Sequence, residues 1–357
     1  MKRAESDQRD AHGSPRRSQG HRPWQVLLLL VVVVGGVALV ATFAGSTLTD
    51  SMTTLAHLNW PWLLLALIAE AGSMAAFART QRRLLRASGT KLDLGSVMAV
   101  TYAGNAISVS LPLAGSEMAT AFSFRQFNRH GIDAAVAGWA LAVSGIISSL
   151  AFAVVLAGGA FASGSATAAL VGVSGAVISL LPAATVIAAV RYRSIRDALN
   201  RLLARLFGVS RRLVNRPGPD ADSALERLLD RVARIRLPRL QYAEVFGLAL
   251  WNWVADCLCL AAAIRATGAA VPWRGLFLAY TAGMTAASVG LTPGGVGIIE
   301  AALAAALVGA GLKAHHALAA VLAYRLVSFW LVMTVGWLVM LLVTRRGDER
   351  TPADRAA

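Results

Sequence analysis

The chain has 357 residues, 56% of them hydrophobic and only 15% charged, and carries a formal net charge of +15. Uninterrupted apolar runs of about 18 or more residues exclude an ordinary soluble domain: ~20 residues at a 1.5 Å rise cross a ~30 Å hydrocarbon layer, where only helices or closed barrels satisfy the backbone. The 34 Lys and Arg fall mostly in connecting segments between those runs; that pattern orients a membrane protein and attracts anionic lipid, and it argues against nucleic-acid binding.

Residues 1–23 are polar, basic and aperiodic, which predicts a disordered cytoplasmic tail. Arg16-Arg17 is not continued as a twin-arginine signal. The run 24–44 is long and followed by further apolar runs, so it predicts a retained first span rather than a signal peptide cut at Ala44. Full spans are predicted at 62–78, 132–160, 166–190, 243–264 and 317–343, while 94–127 and 275–311 are apolar but interrupted. Residues 191–239 form one long basic loop, in which Ile195, Leu199, Leu202, Leu203, Leu206 and Phe207, then Leu225, Leu228, Leu229, Val232 and Ile235, recur at helical spacing and predict amphipathic interfacial helices. A short cytoplasmic tail, 346–357, closes the chain.

Charge sets the sidedness. Arg79, Arg82, Arg83, Arg86 and Lys91 cluster after the second span, thirteen basic residues occupy 191–239, and Arg345-Arg346 follow the last span. Segments 45–61 and 159–166 carry none. Both termini and the long loop are therefore expected in the cytoplasm. With six spans this works if 94–127 enters and leaves on the cytoplasmic side and 275–311 on the external side; two full crossings by each segment keep the same sidedness and stay open. The expected fold is an all-α polytopic membrane protein within 24–345, with six full spans plus two re-entrant or broken helical hairpins, eight hydrophobic segments in all. Span, span, hairpin, span occurs twice, over 24–160 and 166–343. The text SVSLPLAGSE at 108–117 matches SVGLTPGGVGIIE at 288–300, so an inverted repeat is expected, an architecture that places substrate sites at broken helices.

These breaks concentrate the candidate site. In Thr292-Pro293-Gly294-Gly295-Val296-Gly297, proline removes a donor and glycines accept positive φ, so the helix must stop and restart. Its restart near Val296 is expected to aim free amides at an anion such as a phosphate or carboxylate. Glu300 follows one turn later, as Glu117 follows Pro112 and Gly115; either acid suits dipole compensation, a cationic headgroup or a proton. Asp256 and Arg325 lie at similar depth in their spans and are expected to pair, since intramembrane charges pair or line a pathway. Glu70 is a further cavity-facing candidate, and Asn105 and Asn252 are candidates for the same space or for helix–helix bonds. Trp251 and Trp253 read as packing or interface anchors. Cys257 and Cys259 read as packing residues, too few for a disulfide framework or zinc site. His315-His316 lacks partner ligands, Asp220 and Asp222 are a weak metal-binding match, and no nucleotide motif is present. No catalytic residue, metal or cofactor is expected.

LTPGGVGIIEAAL at 291–303, NAISVSLPLAGSEMA at 105–119 and AYRLVSFW at 323–330, with the spacing of the segments, resemble the transmembrane, flippase-like domain of bacterial lysylphosphatidylglycerol synthases. The resemblance spans roughly residues 20–345 and implies movement of a phospholipid or lipid-linked headgroup across the bacterial cytoplasmic membrane. Pro293, Gly294, Gly295, Gly297, Glu300 and Arg325 match the family's pattern, and Asn105, Pro112, Gly115 and Glu117 match it more loosely. The two-function synthases carry an aminoacyl-transferase domain after the membrane part, whereas this sequence reaches Ala357 in a short polar tail, so a stand-alone member without lysyl transfer is expected. The expected partners are membrane lipids, either anionic phospholipid or polyprenyl lipid; small-residue faces such as Gly158-Gly159 permit homo-oligomerisation. The alternatives are an integral-membrane glycosyltransferase or other lipid-modifying enzyme, using Asp220, Asp222 or Glu117, and a non-transporting membrane scaffold.

Overall fold

The computed structural model describes residues 45–86, 92–164, 172–177, 238–287 and 292–349, with isolated positions at 89 and elsewhere between 170 and 194. The predicted first span, most of the span at 166–190, nearly all of the amphipathic loop with Asp220 and Asp222, both tails and the repeated text at 288–291 lie outside the described residues. Every regular element among the described residues is helical: α1 Gly45–Ala56, α2 Trp60–Arg86, α3 Leu94–Ser110, α4 Gly115–Arg129, α5 Ala134–Ala162, α6 Arg239–Ala266, α7 Trp273–Ala287, α8 Ile298–Gly309, α9 Ala314–Arg325 and α10 Val332–Glu349, with a one-turn 3₁₀ segment at Pro293–Gly295 and a π-helical stretch at Leu326–Leu331. Four helical stretches are long and apolar enough to cross a membrane: Trp60–Arg86, Ala134–Ala162, Arg239–Ala266 and Ala314–Leu342. They coincide with four of the predicted spans, and the protein is a multi-pass membrane protein.

Local signals set the helix ends. The Asp93 carboxylate accepts from the Ser96 amide at 2.8 Å and opens α3; Asp133 accepts from the Ala135 amide at 2.9 Å and opens α5. Each satisfies a donor that the first helical turn leaves unpaired. Pro61 stands in the first turn of α2, where its missing N–H costs nothing.

Helices α2 and α6 run antiparallel along their whole length and form the spine. The Asn59 amide donates to the Ala266 carbonyl at one end, Ser73 and Asn252 exchange hydrogen bonds in the middle, and Arg83 pairs with Glu244 at 2.6 Å at the other. Arg265 lies over the Trp62 ring at 5.1 Å, beside the Asn59 end. The clustered arginines of α2 thus mark one end of the spine, and Trp60 and Trp62 the other.

A buried apolar cluster sits at each end of this spine. Around the arginine end, Leu84, Leu85 and Val245 pack against Val97 and Val100 of α3, Phe127 of α4 and Ala137 of α5. Around the tryptophan end, Leu260 and Ile264 pack against Leu276 and Tyr280 of α7, Leu303 and Leu307 of α8, and Val321 of α9. Each interrupted segment is therefore a helical hairpin, α3–α4 in one cluster and α7–α8 in the other. Close backbone approach joins α5 and α10 to the hairpins: a side chain at Gly159 of α5 would collide with Phe277 of α7, and one at Gly336 of α10 would sit 2.3 Å from the Tyr102 carbonyl oxygen of α3. Small residues at such contacts are how membrane helices gain packing without a hydrophobic driving force between them.

Candidate functional site

Between the two clusters, at mid-spine, lies a cavity of about 790 Å³. Glu70, Ser73 and Gln81 enter its wall from α2, Asn252 and Asp256 from α6, and Ser144 and Ser148 from α5. Both hairpin tips reach it: Ser108, Leu113, Gly115 and Glu117 from the first, Gly294, Gly295 and Ile299 from the second. Polar backbone at helix breaks is tolerated in a membrane protein where it lines such a space.

The two tips solve the same turn differently. In the second, Gly294, Gly295 and Gly297 take φ of 58°, 66° and 87°, a left-handed conformation that only glycine adopts freely. In the first the left-handed residue is Leu113, at φ 61°, with its side chain 70% exposed. A bulky residue held there is strained, and strain of that kind gathers at functional sites. Gly115 lets the hairpin close: a Cβ there would sit 1.9 Å from the Ser108 carbonyl oxygen.

The acids and the arginine form two separate groups. Arg325 Nε donates to Glu300 Oε1 at 2.6 Å, its Nη2 donates to the Gly294 carbonyl at 2.7 Å, and its guanidinium stacks on the Phe329 ring at 4.0 Å. Glu300 Oε2 accepts from the Gly297 amide at 2.6 Å. Asp256 accepts from the Tyr280 hydroxyl at 2.6 Å through Oδ2 and from the Tyr324 hydroxyl at 2.8 Å through Oδ1. Glu70 lies next to it, close enough for a carboxyl–carboxyl hydrogen bond, with Oε2 buried and lacking a hydrogen-bond partner.

Two expectations are corrected by this geometry. Asp256 and Arg325 do not pair: consecutive helix positions differ by about 100°, so Tyr324 turns to Asp256 while Arg325 turns to the second tip. The Gly297 amide at the restarted helix is not free for an outside anion either, because Glu300 folds back on it, the dipole-compensating role open to that residue. Pro112, Pro293, Gly297 and Glu300 shape or brace the tips without lining the cavity, whereas Glu70, Asn105, Gly115, Glu117, Asp256, Gly294, Gly295 and Arg325 line it. Asn105 Nδ2 reaches the Met74 sulfur at 3.8 Å, and Glu117 accepts from the Ser116 hydroxyl at 3.0 Å and is exposed. Asn252 bonds helix to helix through Ser73, and Trp253 donates to the Ser148 carbonyl at 3.0 Å while packing 4.7 Å from the Phe152 ring. Cys257 and Cys259 are free and fully buried.

A profile of the lysylphosphatidylglycerol synthase TM region matches residues 26–336. The chain belongs to this family. Its matched region takes in the spine, both hairpins and most of the last span, so the family identity extends to the whole cavity and gives the membrane protein a lipid-related role. No curated protein matches the chain.

Sequence reasoning missed Tyr280 and Tyr324. Each is preceded by alanine in an otherwise apolar run, and a buried tyrosine hydroxyl needs a partner; with Asp256 the intramembrane acid of the adjoining span, that signal was available. The π-helical turn after Arg325, which brings Ser328 and Phe329 to the cavity, has no sequence signature. Such π turns recur at functional sites.

Proposed function

We propose that this family member is a lipid translocator, not an enzyme, passing a phospholipid or lipid-linked headgroup between leaflets of the bacterial cytoplasmic membrane. The observation that carries this is the meeting of both broken-helix tips at one cavity, with polar side chains set in a largely apolar wall, halfway along a membrane-spanning spine. A headgroup needs polar contacts at the depth where lipid tails offer none, and hydroxyls, amides and carboxyls converge there.

In this proposal both termini are cytoplasmic, the arginine end of the spine faces the cytoplasm, and the hairpins are re-entrant from opposite faces. Arg125 and Arg129 stand near the end of α4, which favours return of the first hairpin to the arginine side. The inverted repeat is supported by the reciprocal contacts, α5 on α7 and α10 on α3, about the self-complementary α2–α6 pair. The ligand is an anionic phospholipid or a polyprenyl lipid.

The test is reconstitution of the purified chain in vesicles carrying labelled lipids of both classes. Protein-dependent movement of label between leaflets is the expected result. An unchanged leaflet distribution across the whole panel overturns the proposal.

A further inference from the structure

The fixed charges of the cavity do not balance. Arg325 is the one Lys or Arg side chain lining it among the described residues, and that guanidinium is already committed to Glu300, the Gly294 carbonyl and Phe329. Glu70 and Asp256 are left facing each other from α2 and α6 with no cation between them. Two carboxylates in contact inside a poorly polarisable interior do not both ionise, and a hydrogen bond between them requires one proton. Asp256 receives hydroxyl donors on both oxygens, which makes it the acceptor of the pair. Glu70 is only 6% exposed, lines the cavity, and has a carboxyl oxygen without a partner.

We propose that Glu70 and Asp256 form a proton-binding carboxyl pair in the cavity wall, and that lipid passage is coupled to loading and release of that proton. The coupling rests on the translocator reading; the proton site does not. Other titratable groups face the pair from each neighbouring element: Tyr102 on α3, Cys257 and Cys259 on α6, Tyr280 on α7, and Tyr324 and Arg325 on α9. Tyr280 and Tyr324 hold their hydroxyl protons on Asp256, and Cys257 and Cys259 are fully buried away from the cavity lining, so none is a competing exchange site. Glu70 takes the proton from water on one side of the membrane and returns it to water on the other, and the cavity's charge changes by one unit in each step. With the proton bound, an anionic phosphate meets one carboxylate fewer; once it is released, the second negative charge expels that headgroup.

Two measurements on the full chain separate the claims. Infrared difference spectra in lipid nanodiscs, recorded as pH is raised, are expected to contain a protonated-carboxyl band that shifts in D2O. The band is expected to vanish in Glu70→Gln and to persist in Glu244→Gln, a surface acid outside the cavity. Tyr280→Phe removes a donor to Asp256 and is expected to move the band's titration midpoint to higher pH, a readout that misfolding does not mimic. In vesicles with labelled phosphatidylglycerol, a one-unit pH gradient is expected to sustain up to about a tenfold lipid asymmetry if one proton moves per lipid, and Glu70→Gln is expected to abolish that dependence. If no band titrates, or the band is unaffected in both Glu70→Gln and Asp256→Asn, the proton site is refuted even where lipid moves. If lipid moves equally with and without the gradient, the coupling is refuted. A titrating Glu70 band with no lipid movement under any condition upholds the site and overturns the translocator reading.

Discussion

Replacing Arg325 by alanine leaves Glu300 as a carboxylate with its main counter-charge gone. The side chains of Arg325 and Glu300 are only 7% and 17% exposed, so water does little to compensate. Breaking a buried pair by removing one partner costs about 3–5 kcal/mol, most of it the penalty on the charge left behind. Loss of the bond to the Gly294 carbonyl and of the Phe329 contact adds to this. Glu300→Gln is milder, since its amide can still accept from the Gly297 amide, and the double variant removes the stranded charge. Thermal unfolding of all four proteins in one detergent should therefore give a coupling energy of about 2–3 kcal/mol, the upper range for residues in direct contact. Single-variant losses that simply add would refute the pairing and return Arg325 to the cavity as a free cation.

Gly294→Ala should be at least as damaging as Arg325→Ala, because its Cβ would lie 2.0 Å from the Phe329 ring at a left-handed φ; purification yield and melting temperature measure it. Gly115→Val should open the first hairpin, since the added carbon meets the Ser108 carbonyl, and limited proteolysis near Leu113 should become faster than in the parent. Hydrogen bonds from the Ser96 hydroxyl, and then from its amide, hold the Asp93 carboxyl below its ordinary value. Because that folded value lies below the unfolded one, the cap's contribution is full above the unfolded pKa and disappears as pH falls through the folded value. Asp93→Ala should cost about 0.5–1 kcal/mol locally at neutral pH and nothing in strong acid, read as faster hydrogen exchange in the first turn of α3 at neutral pH only.

The spans were legible because hydrophobic length is a local property: 62–78, 132–160, 243–264 and 317–343 each overlap a helical stretch long enough to cross and overrun it by no more than two residues at either end. The breaks were legible for the same reason, since Pro293 and its glycines interrupt a helix wherever it sits. Partnerships were not. Asp256 and Arg325 share a depth, but depth does not fix azimuth, and one residue of helical rotation sends Tyr324 to the aspartate and Arg325 to Glu300. The contact of Glu70 with Asp256 depends on the antiparallel register of α2 and α6, which Ser73 and Asn252 set across a long sequence separation. Nor did the sequence distinguish a helix start that holds a ligand from one filled by its own glutamate, because both require the same spacing.

Gly145 of α5 lines the cavity, and a Cβ added there meets nothing within 4 Å. Gly145→Trp thus fills the proposed lipid path with little strain on the fold, since a glycine in mid-helix is itself unfavourable. The decisive measurement is the leaflet exchange of labelled phospholipid in vesicles containing either the parent chain or Gly145→Trp, matched for folded protein. Fast exchange by the parent and at least a tenfold loss in the variant is the predicted result. Equal exchange by the two, or none by the parent, would contradict the claim that lipid passes through this cavity.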